Sequence, residues 1–154
     1  MIIQENGPKH IAIIMDGNRR WAKARGLKPN GGHKAGADNV KKIVKYAYEC
    51  NLKYLTLYAF STENWKRDKN EVSLLMKLLE KFTDELLNGK EKREIRIKIY
   101  GDISPLGRKL QDNIKKLEEA TKNYDKMVLG ICLNYGGRDE ILRATKNIAK
   151  DLVN

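Results

Sequence analysis

The feature that most constrains the fold is a regular alternation of short apolar runs with longer amphipathic segments. Four runs rich in aliphatic, β-branched or aromatic residues predict buried strands: His10–Met15, Lys53–Phe60, Ile95–Tyr100 and Lys126–Tyr135. Between and after them, apolar residues recur every three or four positions, as on the buried side of a helix. Strands joined by such helices favour a parallel sheet with helices on both faces. The sequence therefore predicts an α/β fold, and 154 residues suit one domain.

The same apolar spacing places the helices. The second helix is expected at about His33–Cys50 and the third at about Asn70–Leu87. The fourth has the clearest start, because Ser104 is a good N-cap and Pro105 suits the first helical position. A fifth helix is expected at about Arg138–Val153. No internal repeat or linker interrupts this plan.

The net charge of +11 favours anionic partners but does not identify which kind of anion binds. An excess of Lys and Arg favours anionic partners such as phosphorylated small molecules, lipid surfaces or nucleic acid. Much of the excess is Lys on helical segments, where a solvated face explains it, and no nucleic-acid-binding module is recognisable, so no nucleic-acid partner is expected. Cys50 and Cys132 lack the spacing of a disulfide framework or zinc site. No apolar run is long enough for a membrane span or signal sequence, which predicts a cytoplasmic protein.

Polar and aromatic residues in unusual combinations follow directly after the predicted strands. Four such segments occur: Asp16–Trp21, Ser61–Arg67, Gly101–Asp102 and Asn134–Arg138. The carboxyl ends of parallel strands meet at one edge of a sheet, and ligands of open α/β sheets bind in the crevice there. The sequence therefore predicts a single site at that edge.

Asp16 is the candidate with the clearest chemistry. It ends an apolar run and precedes Gly17, which lets the backbone approach a ligand closely. A lone carboxylate suits Mg²⁺, which takes one or two protein carboxylates and completes its shell with phosphates and water. Arg19 and Arg20 would supply forked donors to the same phosphates. The alternative is that Asp16 caps the next helix and pairs with one of these arginines, and the residues alone leave both interpretations open.

Two other positions have two interpretations each, and a third segment has one. His33 follows two glycines where a helix is expected to start, which suits a phosphate cradle or an ordinary cap. Trp65 lies among hydrogen-bonding residues but equally suits a core anchor. The segment Asn134–Gly137 is interpreted as a turn. Dinucleotide, P-loop and hydrolase sites are disfavoured, because no GxGxxG or GxxxxGK[ST] motif and no defensible Ser/His/Asp or Cys/His arrangement occurs.

Five segments, taken in order, resemble the successive motifs of the undecaprenyl diphosphate synthases, a cis-prenyltransferase family. They are His10–Asn18, Arg20–Ala22, Gly32–Gly36, Leu57–Trp65 and Asn134–Arg138. The resemblance runs from about His10 to the C-terminus, and the DDxxD signature of trans-type synthases does not occur. It implies Mg²⁺-dependent condensation of isopentenyl diphosphate with an allylic diphosphate of the farnesyl type, giving a long-chain product such as undecaprenyl diphosphate. In the family, that product carries cell-wall or glycosylation sugars.

The resemblance implies roles for the residues after the first strand. Asp16 would hold Mg²⁺ and help the allylic diphosphate to leave, and Trp21 would line the entrance. One group would bind or orient that diphosphate: Gly17, Asn18, Arg19, Arg20 and His33.

The resemblance also implies roles after the second strand. One group would help to place the substrates: Ser61, Glu63, Trp65 and Arg67. The family usually assigns proton removal from isopentenyl diphosphate to the position of Asn64. A neutral amide is a poor base, so Asn64 could instead position a phosphate oxygen or a water. Apolar residues of the next helix suit either a tunnel for the growing chain or core packing: Val72, Leu75, Met76 and Leu79.

Two departures from the family pattern matter. Where the family generally has a diphosphate-binding Arg, this chain has Pro29, and the neighbouring Lys28 cannot supply a bidentate fork. The chain also ends at Asn154, before the family's Arg-Thr-Gly-Gly and Arg-x-Ser segment and its acidic metal ligand. That segment binds isopentenyl diphosphate, completes the metal site and forms much of the contact of the family's homodimer.

The second departure sets the expectations for the whole molecule. Residues 1–154 would form one incomplete domain, either catalytic, or an inactive fragment or non-catalytic subunit that needs a complete partner. A sheet that lacks part of its family complement predicts exposed apolar surface and self-association. The long apolar product also allows peripheral contact with a membrane.

Overall fold

The structure is a computed structural model that describes residues 7–89 and 94–153, in which strands and helices alternate. The strands are β1 (His10–Ile14), β2 (Tyr54–Ser61), β3 (Ile95–Tyr100) and β4 (Met127–Tyr135). The α-helices are α1 (Asn18–Lys23), α2 (Pro29–Glu49), α3 (Lys69–Asn88), α4 (Arg108–Thr121) and α5 (Gly137–Val153). A 3₁₀ helix, Thr62–Lys66, follows β2 directly.

The four strands form one parallel sheet in the order β1-β2-β4-β3, which confirms the predicted α/β class. Each predicted strand is present, and its observed ends lie within one residue of the expected ones. Parallel strands buried by crossover helices need near-continuous apolar runs, and β4 provides one from Met127 to Leu133. The apolar pattern therefore located the strands well.

The core lies mainly on one face of the sheet. Leu55 and Leu57 of β2 and Leu129 and Ile131 of β4 are buried there under helices α2, α3 and α4. The opposite face carries Thr56, Tyr58 and Val128, which are half-buried, together with the buried Cys132. Cover on both faces was predicted; in the described residues it is strong on one face and weak on the other.

Strand β1 differs from the prediction of a buried strand. It is an edge strand, and Ile11 and Ile14 are exposed. A strand with one neighbour keeps a row of free backbone groups and loses half of its lateral cover. The prediction of burial was wrong here because periodicity in a sequence does not reveal whether a second neighbour is present.

Two helix starts differ from the sequence prediction. Helix α2 begins at Pro29, four residues before the predicted His33, because the fixed φ of proline suits the first helical position. Helix α4 begins at Arg108 rather than near Ser104. The Ser104 N–H donates to Asp102 Oδ1 at 2.9 Å and the Leu106 N–H donates to the Ile103 carbonyl at 3.0 Å, so a separate turn precedes the helix. None of the helices in the described ranges combines the length and apolar composition that crossing a membrane requires.

Candidate functional site

The strand ends bring three of the four predicted segments together through one buried amide. Trp65 Nε1 donates to Asn134 Oδ1 at 2.8 Å, and Asn134 Nδ2 donates to the Asp102 carbonyl at 2.8 Å. Asn134 itself has a left-handed backbone with φ of 47°. The segment interpreted as a turn therefore has a specific structural task, since its Asn fixes the residues that follow β2 and β3.

Asp16 lies at the end of β1 beside the start of α1. Its Oδ1 accepts from the Gly17 N–H at 2.6 Å, and its Oδ2 accepts from Arg20 Nη2 at 2.7 Å. Gly17, with φ of 86°, takes the N-cap position. The cap that was considered for Asp16 is thus absent, whereas the pairing with Arg20 is present. The side chains are 76% and 79% exposed, so the pair is weak and can open for a ligand.

The donor set around Asp16 limits how a metal ion could bind. Among residues 7–89 and 94–153 no group of three or more His, Cys, Asp or Glu side chains could hold a metal ion. A single exposed carboxylate does not fit an ion held by the protein alone. It does fit Mg²⁺ that is coordinated largely by substrate phosphates and water and takes one protein ligand.

The site also contains a buried carboxylate, that of Glu71, which the sequence patterns did not single out. Its Oε1 accepts from Arg67 Nη1 at 2.9 Å and lies 3.0 Å from His33 Nε2. Its Oε2 lies 3.8 Å from Arg19 Nη1. We call these four residues the Glu71 cluster. It joins three residues that the sequence assigned to substrate binding, although they come from separate segments.

Opposing effects set the protonation of Glu71. Burial of the carboxyl group disfavours its charged form, but hydrogen bonds from His33 and Arg67 and the charges of Arg19 and Arg67 outweigh burial. Together they hold the pKa of Glu71 below its usual value. A sequence signal existed, because Glu71 precedes Leu75 and Leu79 at intervals of four on the apolar side of α3. A carboxylate in such a stripe needs buried partners.

The glycines before and after His33 have a packing role. A Cβ added to Gly32 would lie 2.0 Å from the Asn18 carbonyl oxygen, and one added to Gly36 would lie 2.6 Å from Asn18 Oδ1. Both lie on the side of α2 that contacts α1. The interpretation of the glycines beside His33 as a phosphate cradle is therefore not supported for Gly32, which is buried in a helix contact.

The residues after β2 are ordered by a capping box. Ser61 is the N-cap of the 3₁₀ helix, and its N–H donates to Asn64 Oδ1 at 3.1 Å. The amide oxygen of Asn64 is thus engaged, and its NH₂ group is the part that can donate to a ligand. Glu63 is exposed. Trp65 packs edge-on against Phe60 with ring centroids 5.1 Å apart, so it is a partial core anchor that still reaches the surface.

The remaining predicted residue, Trp21, lies on α1. It is partly exposed, and the Arg25 guanidinium lies 4.2 Å from its ring centroid, a cation–π contact. Arg20 and Trp21 therefore present a cationic and aromatic surface on α1, next to Asp16.

A cavity of about 100 Å³ connects the polar edge with the interior. Its polar lining comes from predicted site residues: Asn18, His33, Asn64 and Arg67. All four of the apolar residues singled out on α3 pack against the core, and two of them, Leu75 and Leu79, also line the cavity. An apolar cavity with amide and cationic groups at its polar end suits an amphiphile with an anionic head and a hydrocarbon tail.

Comparison with known proteins identifies the same family as the sequence motifs. The chain matches, over residues 14–154, the family model described as "Putative undecaprenyl diphosphate synthase". An isoprenyl transferase from Fusobacterium nucleatum is 51% identical over 149 residues, which are 97% of this chain and 65% of that protein. A ditrans,polycis-undecaprenyl-diphosphate synthase specific for (2E,6E)-farnesyl diphosphate, from Wigglesworthia glossinidia brevipalpis, is 50% identical over 96% of this chain and 56% of that protein. The chain spans about 60% of the length of these relatives.

A solved structure extends the likeness to the fold. Lavandulyl diphosphate synthase from Lavandula x intermedia, in complex with dimethylallyl diphosphate, has a TM-score of 0.86 and 37% identity to this chain. The match covers 94% of this chain and 62% of that one. The resemblance found in the motifs is thus confirmed at the levels of sequence and structure, and the chain belongs to the undecaprenyl diphosphate synthase family of isoprenyl transferases.

Proposed function

We propose that this chain provides the allylic-diphosphate site of a cis-prenyltransferase that condenses isopentenyl diphosphate with an allylic diphosphate of the farnesyl type. The observation that carries the proposal is the cavity, which joins His33 and Arg67 to an apolar lining. A diphosphate head needs the cationic end, and an isoprenoid tail needs the apolar end. The names of the relatives fit this chemistry, since one is specific for farnesyl diphosphate and another was solved with dimethylallyl diphosphate.

The exposed residues on α1 would receive the diphosphate. Asp16 would take one coordination position of Mg²⁺, whose charge would stabilise the departing diphosphate. Arg20 would exchange its contact with Asp16 for a phosphate oxygen, and this exchange costs little because the pair is exposed. Arg19 adds a second positive charge, and Asn18 contributes its amide at the cavity. Gly17 lets the chain turn into α1 close to the ligand.

The residues after β2 would place the second substrate. In the condensation, the allylic carbon–oxygen bond breaks, inorganic diphosphate leaves, a carbon–carbon bond forms to isopentenyl diphosphate, and one proton is lost. Asn64 would orient a phosphate oxygen or water that accepts this proton, because its own amide oxygen already accepts from Ser61. Its neighbours in the same short helix and cap would help to place the substrate: Ser61, Glu63 and Trp65. The product would be a long-chain polyprenyl diphosphate.

A second candidate function is a partner-dependent subunit without activity of its own. Pro29 begins α2 where the family generally has an arginine, so this position offers no fork for a phosphate. The apolar face of α5 is exposed, which suits contact with further protein. Under this alternative, the chain would contribute the allylic-diphosphate site to an assembly with a complete prenyltransferase partner.

Incorporation of radiolabelled isopentenyl diphosphate onto farnesyl diphosphate with Mg²⁺ tests the proposal. We expect the chain to give labelled polyprenyl product and Asp16→Ala to lose it, with Asp38→Ala, an aspartate without an assigned role, as the control. Binding of farnesyl diphosphate without incorporation would favour the partner-dependent subunit. Neither binding nor incorporation by the folded chain would contradict both functions.

A further inference from the structure

Glu71 lies behind the candidate site without belonging to the cavity lining. It is in the first turn of α3, and its side chain is 9% exposed. His33 and Arg67, which contact its carboxylate, do line the cavity. A buried carboxylate next to a proposed anion site is unexpected, because its negative charge opposes binding of a second anion. Its presence therefore requires a compensating role.

The geometry shows what this carboxylate holds in place. One oxygen, Oε1, contacts both His33 Nε2 at 3.0 Å and Arg67 Nη1 at 2.9 Å. The other oxygen lies 3.8 Å from Arg19 Nη1. These partners come from α2, from the residue that follows the 3₁₀ helix, and from α1. Glu71 thus links three segments of the chain through side-chain contacts.

The contact with Glu71 also determines which nitrogen of His33 carries its proton and which N–H groups of Arg67 remain available. An ionised carboxylate only accepts hydrogen bonds, so His33 Nε2 must carry the proton in this contact. The Arg67 guanidinium has five N–H groups and uses one Nη for Glu71, so the others are available to an anion. The two arginines outweigh the single carboxylate, and the Glu71 cluster therefore stays cationic toward a diphosphate.

We propose that Glu71 is a positioning residue for substrate diphosphate: it orients His33 and Arg67 from behind and so strengthens binding despite its charge. The inference rests on the proposed function, because it concerns the same anion. Glu71 orders His33 and Arg67, but its charge also repels the diphosphate, and these two effects predict opposite changes in the affinity for diphosphate when the charge is removed. If ordering dominates, removing the charge of Glu71 weakens binding; if repulsion dominates, removing it strengthens binding.

Isothermal titration with farnesyl diphosphate and Mg²⁺ distinguishes the two signs. We expect Kd to rise about tenfold in Glu71→Gln, and further in Glu71→Ala, as is typical when a residue that orients a ligand-binding side chain is removed. The control is Glu85→Gln, since Glu85 lies on the same helix and also pairs with α2, through Lys41, but away from the cavity. Its Kd should change less than about twofold. Unchanged or tighter binding by Glu71→Gln would overturn the inference.

A second readout needs no substrate. The chain has two histidines, so the ¹⁵N spectrum of the imidazole rings reports His33 with His10 as an internal reference. We expect Nε2-protonated His33 in the native chain and a mixture of tautomers in Glu71→Ala, while His10, bonded to Thr56, stays unchanged. An unchanged His33 spectrum in folded Glu71→Ala overturns the inference. If Glu71→Ala does not fold, the calorimetric titration of Glu71→Gln decides the inference, because its amide oxygen can still accept from His33 and leave the tautomer unchanged. Failure of the native chain to bind farnesyl diphosphate overturns the proposed function instead.

Discussion

Helices α3 and α5 are both amphipathic and both follow strands of the same sheet. The apolar side of α3 is buried against the core, whereas that of α5 is exposed. Leu79 and Phe82 of α3 pack against the core and line the cavity. In α5, Ile148 and Leu152 are exposed, Leu152 by 82%. The apolar side of α3 is thus buried against other residues of the described chain, whereas the apolar side of α5 is exposed. Helical periodicity identifies an apolar face but does not tell what covers it.

The edge strand shows the same contrast with the centre of the sheet. Leu129 of β4 is fully buried, while Ile14 of β1 is exposed. The exposed apolar surface expected from the sequence is therefore observed at β1 and α5. Surfaces of this kind are typical of interfaces, and the self-association expected from them stays a prediction.

The largest effect should be on the free energy of unfolding, where a buried leucine of the sheet is compared with an exposed leucine of α5. Leu129→Ala removes a fully buried side chain and should lower the free energy of unfolding by about 3 kcal/mol. Leu152→Ala makes the same chemical change at an exposed position and should cost less than about 0.5 kcal/mol. Urea unfolding of both variants measures the difference. Similar costs would show that the α5 face is covered in solution.

The next effect should be on association. Replacing both Ile148 and Leu152 with Lys removes apolar area from α5 and should weaken self-association about tenfold or more. The control Asn147→Lys adds charge on the same helix without removing apolar area. Size-exclusion chromatography over a range of concentrations measures the shift. A native chain that is monomeric at all of them contradicts the prediction.

A smaller effect should appear in the acid dependence of stability. The pKa of Glu71 is lowered in the folded chain, so its contribution is present above its unfolded value of 4.5 and is lost as pH falls through the lower folded value. The groups that face it are His33 on α2, Arg67 before α3 and Arg19 on α1.

Glu71→Gln should therefore flatten the rise of unfolding free energy with pH in that acid range. Urea midpoints measured at several pH values give the slope. Asp84 and Asp102, whose pKa values are also lowered, remain in both proteins and cancel in the comparison. An unchanged slope would mean that Glu71 has no net stabilising contact in solution.

The smallest effect should lie where α5 joins the sheet. A hydrogen bond to Glu140, with burial and the charge of Glu140, raises the pKa of Tyr135 to about 12. The stabilisation from this contact is present below pH 10 and is lost as pH rises through about 12. Glu140→Gln should return the pKa toward its ordinary value. Ultraviolet titration of the tyrosines, with Tyr135→Phe to assign the signal, measures it; an unshifted titration in Glu140→Gln would contradict the contact.

Most of the architecture could be predicted because it depends on local apolar pattern. The strand ends were located to within one residue. Leu75 and Leu79 suited either a tunnel or core packing, and in the structure they line the cavity and pack against the core. The predicted start of α4 was wrong because residues 103–106 form a turn, closed by the Leu106 N–H and the Ile103 carbonyl, before the helix begins at Arg108. The exposed β1 was missed because burial of a strand depends on its neighbours.

The site was predicted only in part, because its organisation depends on contacts between distant residues. The motif residues were identified one by one, and the structure shows that His33 and Arg67 share the carboxylate of Glu71. Glu71 lies 38 positions from His33, so no local pattern connects the two. The task of Asn134 was missed for the same reason, since its partners Trp65 and Asp102 lie on other strand ends.

The most direct test of the central claim is calorimetric titration of the folded chain with farnesyl diphosphate in the presence and absence of Mg²⁺. Inorganic diphosphate and farnesol serve as head-only and tail-only controls. A site with a cationic end and an apolar cavity predicts saturable binding that Mg²⁺ strengthens, Asp16→Ala weakens and either fragment alone reproduces poorly. No binding, or binding by farnesol as tight as by farnesyl diphosphate and indifferent to Mg²⁺, would contradict it.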